Sequence, residues 1–201
     1  HRHRLCQLMI LILTTPRTGS TWYCDYLAKQ HSLENLDEYF GEYEYDLSEQ
    51  NQKLDYLSNN PDVVLKCFPW HLKNIRNNFI RAGFLEHNLF KLADEIHILT
   101  RNDFHSQIKS FYIAQATGVW DGIPQELETV ELDQNKFDYW TWHLKDGYMH
   151  LSEYYKKFDC KLMDFSELPF HTDTNKKYVR PIKWSSDPII QDFNITELFK
   201  T

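Results

Sequence analysis

The sequence predicts an α/β protein built as three layers, a parallel sheet flanked by helices. Three observations carry that expectation. Strand-like runs at Leu8–Leu13, Val63–Phe68, Glu95–Thr100 and Cys160–Phe165 alternate with stretches of helical pattern. The first run is apolar throughout, as a central parallel strand covered on both faces must be. Polar residues gather just after the runs, at Thr14–Arg17, Lys66–Pro69 and Thr100–Asp103. In parallel sheets ligands bind beyond the carboxyl ends of the strands. Three loops are therefore expected to converge on one crevice.

Each element has its own justification. After Leu8–Leu13, a helix over Ser20–Gln30 pairs Trp22 with Tyr26 and Tyr23 with Leu27, four residues apart. Leu33–Phe40 reads as a short extended piece ending at Gly41, and the acidic stretch Glu42–Asn60 as a loop plus one helix. Pro61-Asp62 marks a turn before the second strand, which Pro69 ends. Leu72–Ala82 is expected to be helical, with Lys73, Arg76 and Arg81 on it and Gly83 as its stop. Asp103–Ala116 follows the third strand as a helix with Ile108, Phe111 and Tyr112 on its core face and Gly118 beyond it. Lys136–Phe158 is the longest helix, its stripe formed by Phe137, Trp140, Leu144, Leu151, Tyr155 and Phe158, with Gly147 inside as a point of kinking or weakness. From about residue 169 the tail is irregular. No linker or repeat divides the chain, so residues 1–201 are expected to form one domain.

The totals narrow the classes of function. A length of 201 residues supports a real core, and 13 Phe, 12 Tyr and 6 Trp exceed what a core needs, leaving rings to line a pocket. The net charge of −7 argues against general nucleic-acid binding, so an anionic ligand needs a local basic cluster. Cys6, Cys24, Cys67 and Cys160 share no C-x-x-C spacing and read as buried free thiols. His143 and His150 lie seven apart on one helix, not at the i,i+4 spacing of metal ligands, and no metal is expected. No apolar run approaches the ~18 residues of a membrane span. Leu5–Leu13 imitates a signal-peptide core but continues into the polar loop with no cleavage site, so it reads as a strand and the protein as cytoplasmic. The chain opens on His1-Arg2-His3-Arg4, as a fragment or an added remnant would.

The most informative stretch is Thr14-Thr15-Pro16-Arg17-Thr18-Gly19-Ser20-Thr21-Trp22. A strand hands over here to a helix whose free N–H groups, hydroxyls and one guanidinium suit a phosphate or sulfate. The plainer alternative is a helix capped by Ser20 or Thr21. The nucleotide-binding G-x-x-x-x-G-K-[ST] loop is not present, because Gly19 stands alone and no Lys-Ser or Lys-Thr follows. The stretch resembles instead the 5′-phosphosulfate loop of the sulfotransferases, T-x-P-[KR]-[ST]-G-[ST]-T-W, at all its specified positions. The resemblance implies the P-loop-NTPase-like sulfotransferase fold, closest to the bacterial and carbohydrate branch. It assigns Pro16, Arg17, Thr18, Gly19, Ser20 and Thr21 to the 5′-phosphosulfate. Trp22 matches the adenine-stacking tryptophan of the family, or else is a core residue.

A second match follows at Leu99-Thr100-Arg101-Asn102-Asp103. Sulfotransferases hold a 3′-phosphate with an Arg at a strand end and a Ser in the next helix. Arg101 fits, Asp103 replaces the family's proline, and Ser110 lies one residue farther on than usual, with Ser106 as the fallback. Guanidinium forks and hydroxyls are the chemistry a phosphate needs. Together the loops imply 3′-phosphoadenosine 5′-phosphosulfate as donor and 3′,5′-ADP as product. The family's glycine-rich C-terminal cofactor loop is absent; Tyr178–Trp184 stands nearest, with Arg180 and Lys183 as its cations.

The implied reaction transfers a sulfuryl group in line to a hydroxyl or amine of a small-molecule or carbohydrate acceptor. Charge grows on the bridging oxygen, where Arg17 and the Thr18–Thr21 N–H groups neutralise it. Arg17 keeps its proton, since a guanidinium pKa stays above about 12. A base must take the acceptor proton. One branch uses a His after the second strand, where Lys66-Cys67-Phe68-Pro69-Trp70-His71 offers His71. Another uses a Glu after the first helix, and Asp37-Glu38-Tyr39-Phe40 matches it. Glu38 is preferred and His71 is second. Lys66 is expected to face the donor or its leaving group. A P-loop-type kinase and a catalytically silent 3′,5′-ADP-binding protein are the two other readings.

Overall fold

In a computed structural model, which describes residues 7–41, 47–72, 85–120, 129–168 and 183–200, the first apolar run becomes the centre of the sheet. β1 (Met9–Thr14) is buried along its whole length. It pairs in parallel with β3 (Val63–Cys67) on one side and β4 (Glu95–Thr100) on the other. β2 (Glu34–Asp37) and β6 (Lys161–Asp164) complete a five-stranded parallel sheet in the order β2-β3-β1-β4-β6. The order reverses at β1, where a doubly wound sheet opens its crevice.

Alternation along β1 assigns its side chains to two cores. Met9, Leu11 and Leu13 face one, and Ile10 and Ile12 the other. The second core is closed by α1 (Ser20–His31) through Tyr23, Cys24 and Leu27. The first is closed by α2 (Leu47–Asn59), α3 (Leu85–Leu92), α4 (Phe104–Thr117) and α5 (Gln134–Lys157). The protein is therefore α/β, with a parallel sheet flanked by helices, and among the described residues no helix is long and apolar enough to cross a membrane.

Helix ends follow their local chemistry. Asp103 accepts a hydrogen bond from the Ser106 N–H at 3.0 Å, so α4 begins after it, at Phe104. The Gly118 N–H closes α4 on the Ala114 carbonyl from a left-handed φ of 71°. Asp133 caps α5 the same way through the Lys136 N–H, two residues ahead of the expected start.

Gly147 does not end or break α5, which runs unbroken through it. A Cβ there would stand 2.9 Å from Thr15 Cγ2. The missing side chain lets the helix lie directly on the loop after β1.

Three elements depart from expectation. α3 follows where only a helix stop and a strand were read. A second, two-stranded parallel sheet joins Thr129–Val130 (β5) to Lys183–Trp184 (β7), too short to leave any periodicity. The tail after β7 is irregular but not detached, because Ile195 of α6 (Ile195–Leu198) and Phe199 are buried in the main core. Of the helix expected over Leu72–Ala82, Leu72 alone is described, in a helical stretch that begins at residue 69, and the rest lies outside the described residues. Cys24 and Cys67 are buried free thiols, and Cys160 is a half-buried one.

Candidate functional site

All five strands of the main sheet are parallel, so their carboxyl ends share one edge. The loop after β1 is shaped from within by its hydroxyls. Thr14 Oγ1 bonds the Leu99 carbonyl at 3.0 Å and the Thr18 hydroxyl at 2.5 Å, and Thr18 Oγ1 also reaches the Thr15 carbonyl at 3.0 Å. Thr14, Thr15 and Thr18 are fully buried. The Thr18 hydroxyl thus builds the loop, and what it can offer a ligand is its N–H. Arg17 and Gly19 both adopt left-handed backbone, at φ 65° and 75°. Glycine takes that conformation freely and arginine does not, so the fold holds Arg17 in strain.

The start of α1 is not capped by Ser20 or Thr21. Its N-cap is Gly19, no side chain caps it, and no acidic residue occupies the first turn. The positive end of the helix dipole therefore has no acidic side chain of its own first turn to offset it. Trp22 is 36% exposed and stacks on Tyr26 at 5.3 Å with planes 12° apart. It is a surface ring, not a core one. Ser20 is buried, and the Thr21 hydroxyl accepts from Lys66 Nζ at 2.6 Å.

Two arginines meet across the crevice. Arg101, just past β4, donates from Nη1 to the Arg17 carbonyl at 3.0 Å. Its guanidinium lies over the Phe165 ring at 4.6 Å. Its Nε is buried with no hydrogen-bond partner, and among the described residues no carboxylate lies within ion-pair distance of it. Burial holds the Arg101 pKa below its ordinary value, with Asp103, Tyr148 and Asp164 only partly countering it. Arg17 itself donates from Nε to Ser110 Oγ at 2.8 Å and from Nη1 to the Trp120 carbonyl. The structure therefore brings Arg17, Arg101 and Ser110 into one contact chain. Ser106 donates both its N–H and its hydroxyl to the Asp103 carboxylate that caps α4.

Opposite them, Lys66 of β3 is 3% exposed and reaches three groups. It lies 2.8 Å from Asp37 Oδ1, 3.2 Å from Glu38 Oε1 and 2.6 Å from Thr21 Oγ1. Burial alone would lower its pKa, but the Asp37 hydrogen bond and the charges of Glu38 and Asp37 hold it above the ordinary value. Asp37 has left-handed backbone at φ 46°, and the Gly41 N–H bonds the Glu38 carbonyl at 2.7 Å, so a tight turn presents both carboxylates. Glu38 keeps its carboxylate partly exposed.

His71 has a different environment. It is 5% exposed, packed against Phe68 and Trp70, and its Nδ1 accepts the Phe68 N–H at 3.3 Å. Burial and the nearby Lys66 charge push its pKa down to about 4. The one ring nitrogen able to take a proton in this tautomer is already engaged. Of the C-terminal cations, Arg180 lies outside the described residues. The Lys183 backbone belongs to β7, whose Trp184 packs on Tyr112 at 5.7 Å.

Sequence reasoning missed Asp37, Gln107, Tyr148 and Phe165. Asp37 had a signal in its place beside Glu38. The other three lie within ordinary helix or strand-end patterns and carried none. A separate cleft of about 370 Å³ opens between the start of α4 and the tail, lined by residues such as Asp103, His105, Asp192 and Asn194. No residue of the loop after β1 lines it.

The fold and the site together define a doubly wound α/β protein with a helix start that no side chain caps and, at the sheet's switch point, a half-buried guanidinium whose Nε has no hydrogen-bond partner among the described residues. No family model matches the chain, and neither does any curated protein.

Proposed function

We propose that this protein is a sulfotransferase that takes 3′-phosphoadenosine 5′-phosphosulfate as donor and a hydroxyl or amine of a small-molecule or carbohydrate acceptor. One observation carries the reading. A half-buried guanidinium whose buried Nε has no partner among the described residues touches the loop that leads to an uncapped helix start. Two anion-seeking groups held one contact apart suit a ligand with phosphate at both ends. The same loop lacks the Lys-[ST] pair that a nucleoside triphosphate and Mg²⁺ require, which disfavours the kinase reading.

The residues divide the work as follows. The free N–H groups at Thr18–Thr21 and the Arg17 guanidinium hold the 5′ end, and Arg101 holds the 3′-phosphate. Ser110 joins Arg101 once Arg17 turns from it to the donor. The donor supplies an activated sulfuryl group. The acceptor oxygen forms the new S–O bond as the S–O bond to the leaving phosphate breaks. Glu38 accepts the acceptor proton, and Lys66, 3.2 Å from its Oε1, fixes that carboxylate in direction. His71, engaged and hard to protonate, is the weaker base.

Calorimetry with 3′,5′-ADP tests the assignment. Wild type is expected to bind, and Arg17→Ala and Arg101→Ala to lose about tenfold or more, as expected for removing a hydrogen bond to a charged group. No binding by wild type overturns the reading, and full binding by Arg101→Ala overturns the 3′-phosphate assignment. A labelled-donor screen over sugars, phenols and lipids, with Glu38→Gln as a variant that binds without turning over, then finds the acceptor.

A further inference from the structure

The loop after β1 and the strand end at Arg101 are joined a second time, through the core. Gln107 of α4 and Tyr148 of α5 are both wholly buried. The Arg101 N–H donates to the Tyr148 hydroxyl at 3.1 Å, and that hydroxyl donates to Gln107 Oε1 at 2.7 Å. The Gln107 amide then donates from Nε2 to Thr15 Oγ1 at 2.9 Å and to the Pro16 carbonyl at 2.7 Å. Every bond runs in one direction. Reversing the amide would set its oxygen against the Pro16 carbonyl and its nitrogen against a hydroxyl that must then turn its proton elsewhere. The side chain of Arg101 closes the circuit by reaching back to the Arg17 carbonyl. Gly147, next to Tyr148, is what lets α5 approach near enough for the relay to form.

We propose that Gln107 and Tyr148 are positioning residues that fix the spacing between the two anion-binding elements, and so select ligands phosphorylated at both ends. This rests on the donor reading above. An apolar pair of similar volume would pack the same space. It would leave the Pro16 carbonyl and the Arg101 N–H without partners and let the two elements shift independently. Buried polar chains of this kind fix direction more than they add stability. A ligand that binds only one element tolerates such a shift. A ligand that spans both does not.

The test compares 3′,5′-ADP with 5′-AMP by calorimetry on the full chain. The proteins are wild type, Tyr148→Phe, Gln107→Met and the matched control Tyr23→Phe. Tyr23 is also buried, but its hydroxyl serves His97 Nδ1 and Met163 Sδ, each at 2.9 Å, outside the circuit. The expected result is that Tyr148→Phe and Gln107→Met weaken 3′,5′-ADP about tenfold, the equivalent of one buried hydrogen bond, and 5′-AMP less than about threefold. Tyr23→Phe changes neither ligand by more than about threefold. Equal losses for both ligands, unchanged 3′,5′-ADP binding, or the same selective loss in Tyr23→Phe overturns the inference while the donor reading stands. Wild type that binds no 3′,5′-ADP overturns the donor reading itself and this inference with it. If Gln107→Met does not fold, Tyr148→Phe, which removes one oxygen, decides the matter alone.

Discussion

At Arg101 the protein keeps a half-buried charge with a ring beneath it and a carbonyl beside it and, among the described residues, no carboxylate within ion-pair distance. Burying a charge without an opposite charge is unfavourable, and an arriving anion relieves that penalty. His71 shows the opposite solution, a titratable group made safe by staying neutral. Its folded pKa of about 4 lies below the ordinary 6.5, so between those values the unfolded chain binds a proton that the folded one refuses. Stability then rises with pH across that window, is complete above about 6.5, and falls as the solution is acidified toward 4. The difference of about 2.5 pH units is worth roughly 3 kcal/mol. His71→Asn, which keeps an acceptor for the Phe68 N–H, is expected to lose that much less stability than wild type between pH 6.5 and pH 4. Urea unfolding at the two pH values measures it, and identical pH slopes would exclude His71 as the source. His97, also lowered by burial, remains in both proteins and cancels.

At the scale of elements, the contact of α5 with the loop after β1 decides the sign of a common substitution. Replacing an interior helix glycine by alanine ordinarily gains about 1 kcal/mol. At Gly147 the new methyl would meet Thr15 Cγ2 at 2.9 Å, on a β-branched, wholly buried residue whose hydroxyl is tied to Gln107. Gly147→Ala is therefore expected to destabilise by about 1–3 kcal/mol, the usual cost of overpacking. It should also weaken 3′,5′-ADP binding, because the atom it displaces belongs to the loop. A stabilised variant with intact binding would show that the loop can yield. This contact also marks where the sequence stops being readable. The strands of the main sheet and the start of α1 follow from local pattern, and so they were legible; Asp103, expected as the first helical residue, is instead the cap. That Arg17, Arg101 and Ser110 come together was also within reach, because the resemblance singled out all three. Gly147 read as a weak point, since a helix pattern says nothing about the neighbour it must clear. Gln107 and Tyr148 were hidden for the same reason: their partners lie 92 and 47 residues away. β5 and β7, two residues each, are held by pairing across the fold and not by local preference.

For the molecule as a whole, the sheet order gives the ligand a mechanical role. β1 and β4 are neighbours, and each ends in one half of the proposed anion site. A ligand that bridges Arg17 and Arg101 ties those strand ends together at the centre of the core, where opening requires global unfolding. Binding to the native state alone stabilises it by about 2.7 kcal/mol when the ligand is at a hundred times its Kd. In a protein of this size each kcal/mol moves Tm by about 2–4 °C, so saturating 3′,5′-ADP is expected to raise Tm by roughly 5–10 °C. At equal concentration 5′-AMP, which lacks the 3′ charge, should raise it far less, and Arg101→Ala should bring the two ligands level. The net charge of −7 sharpens the comparison, because nonspecific attraction between an acidic protein and a polyanion cannot produce such a rise. A thermal melt with both ligands, at low salt and at about 0.15 M where charges beyond about 8 Å are screened, measures it. Equal shifts for the two nucleotides in wild type would mean that only one end of the ligand is held, and the site at Arg101 would then have to serve some other anion.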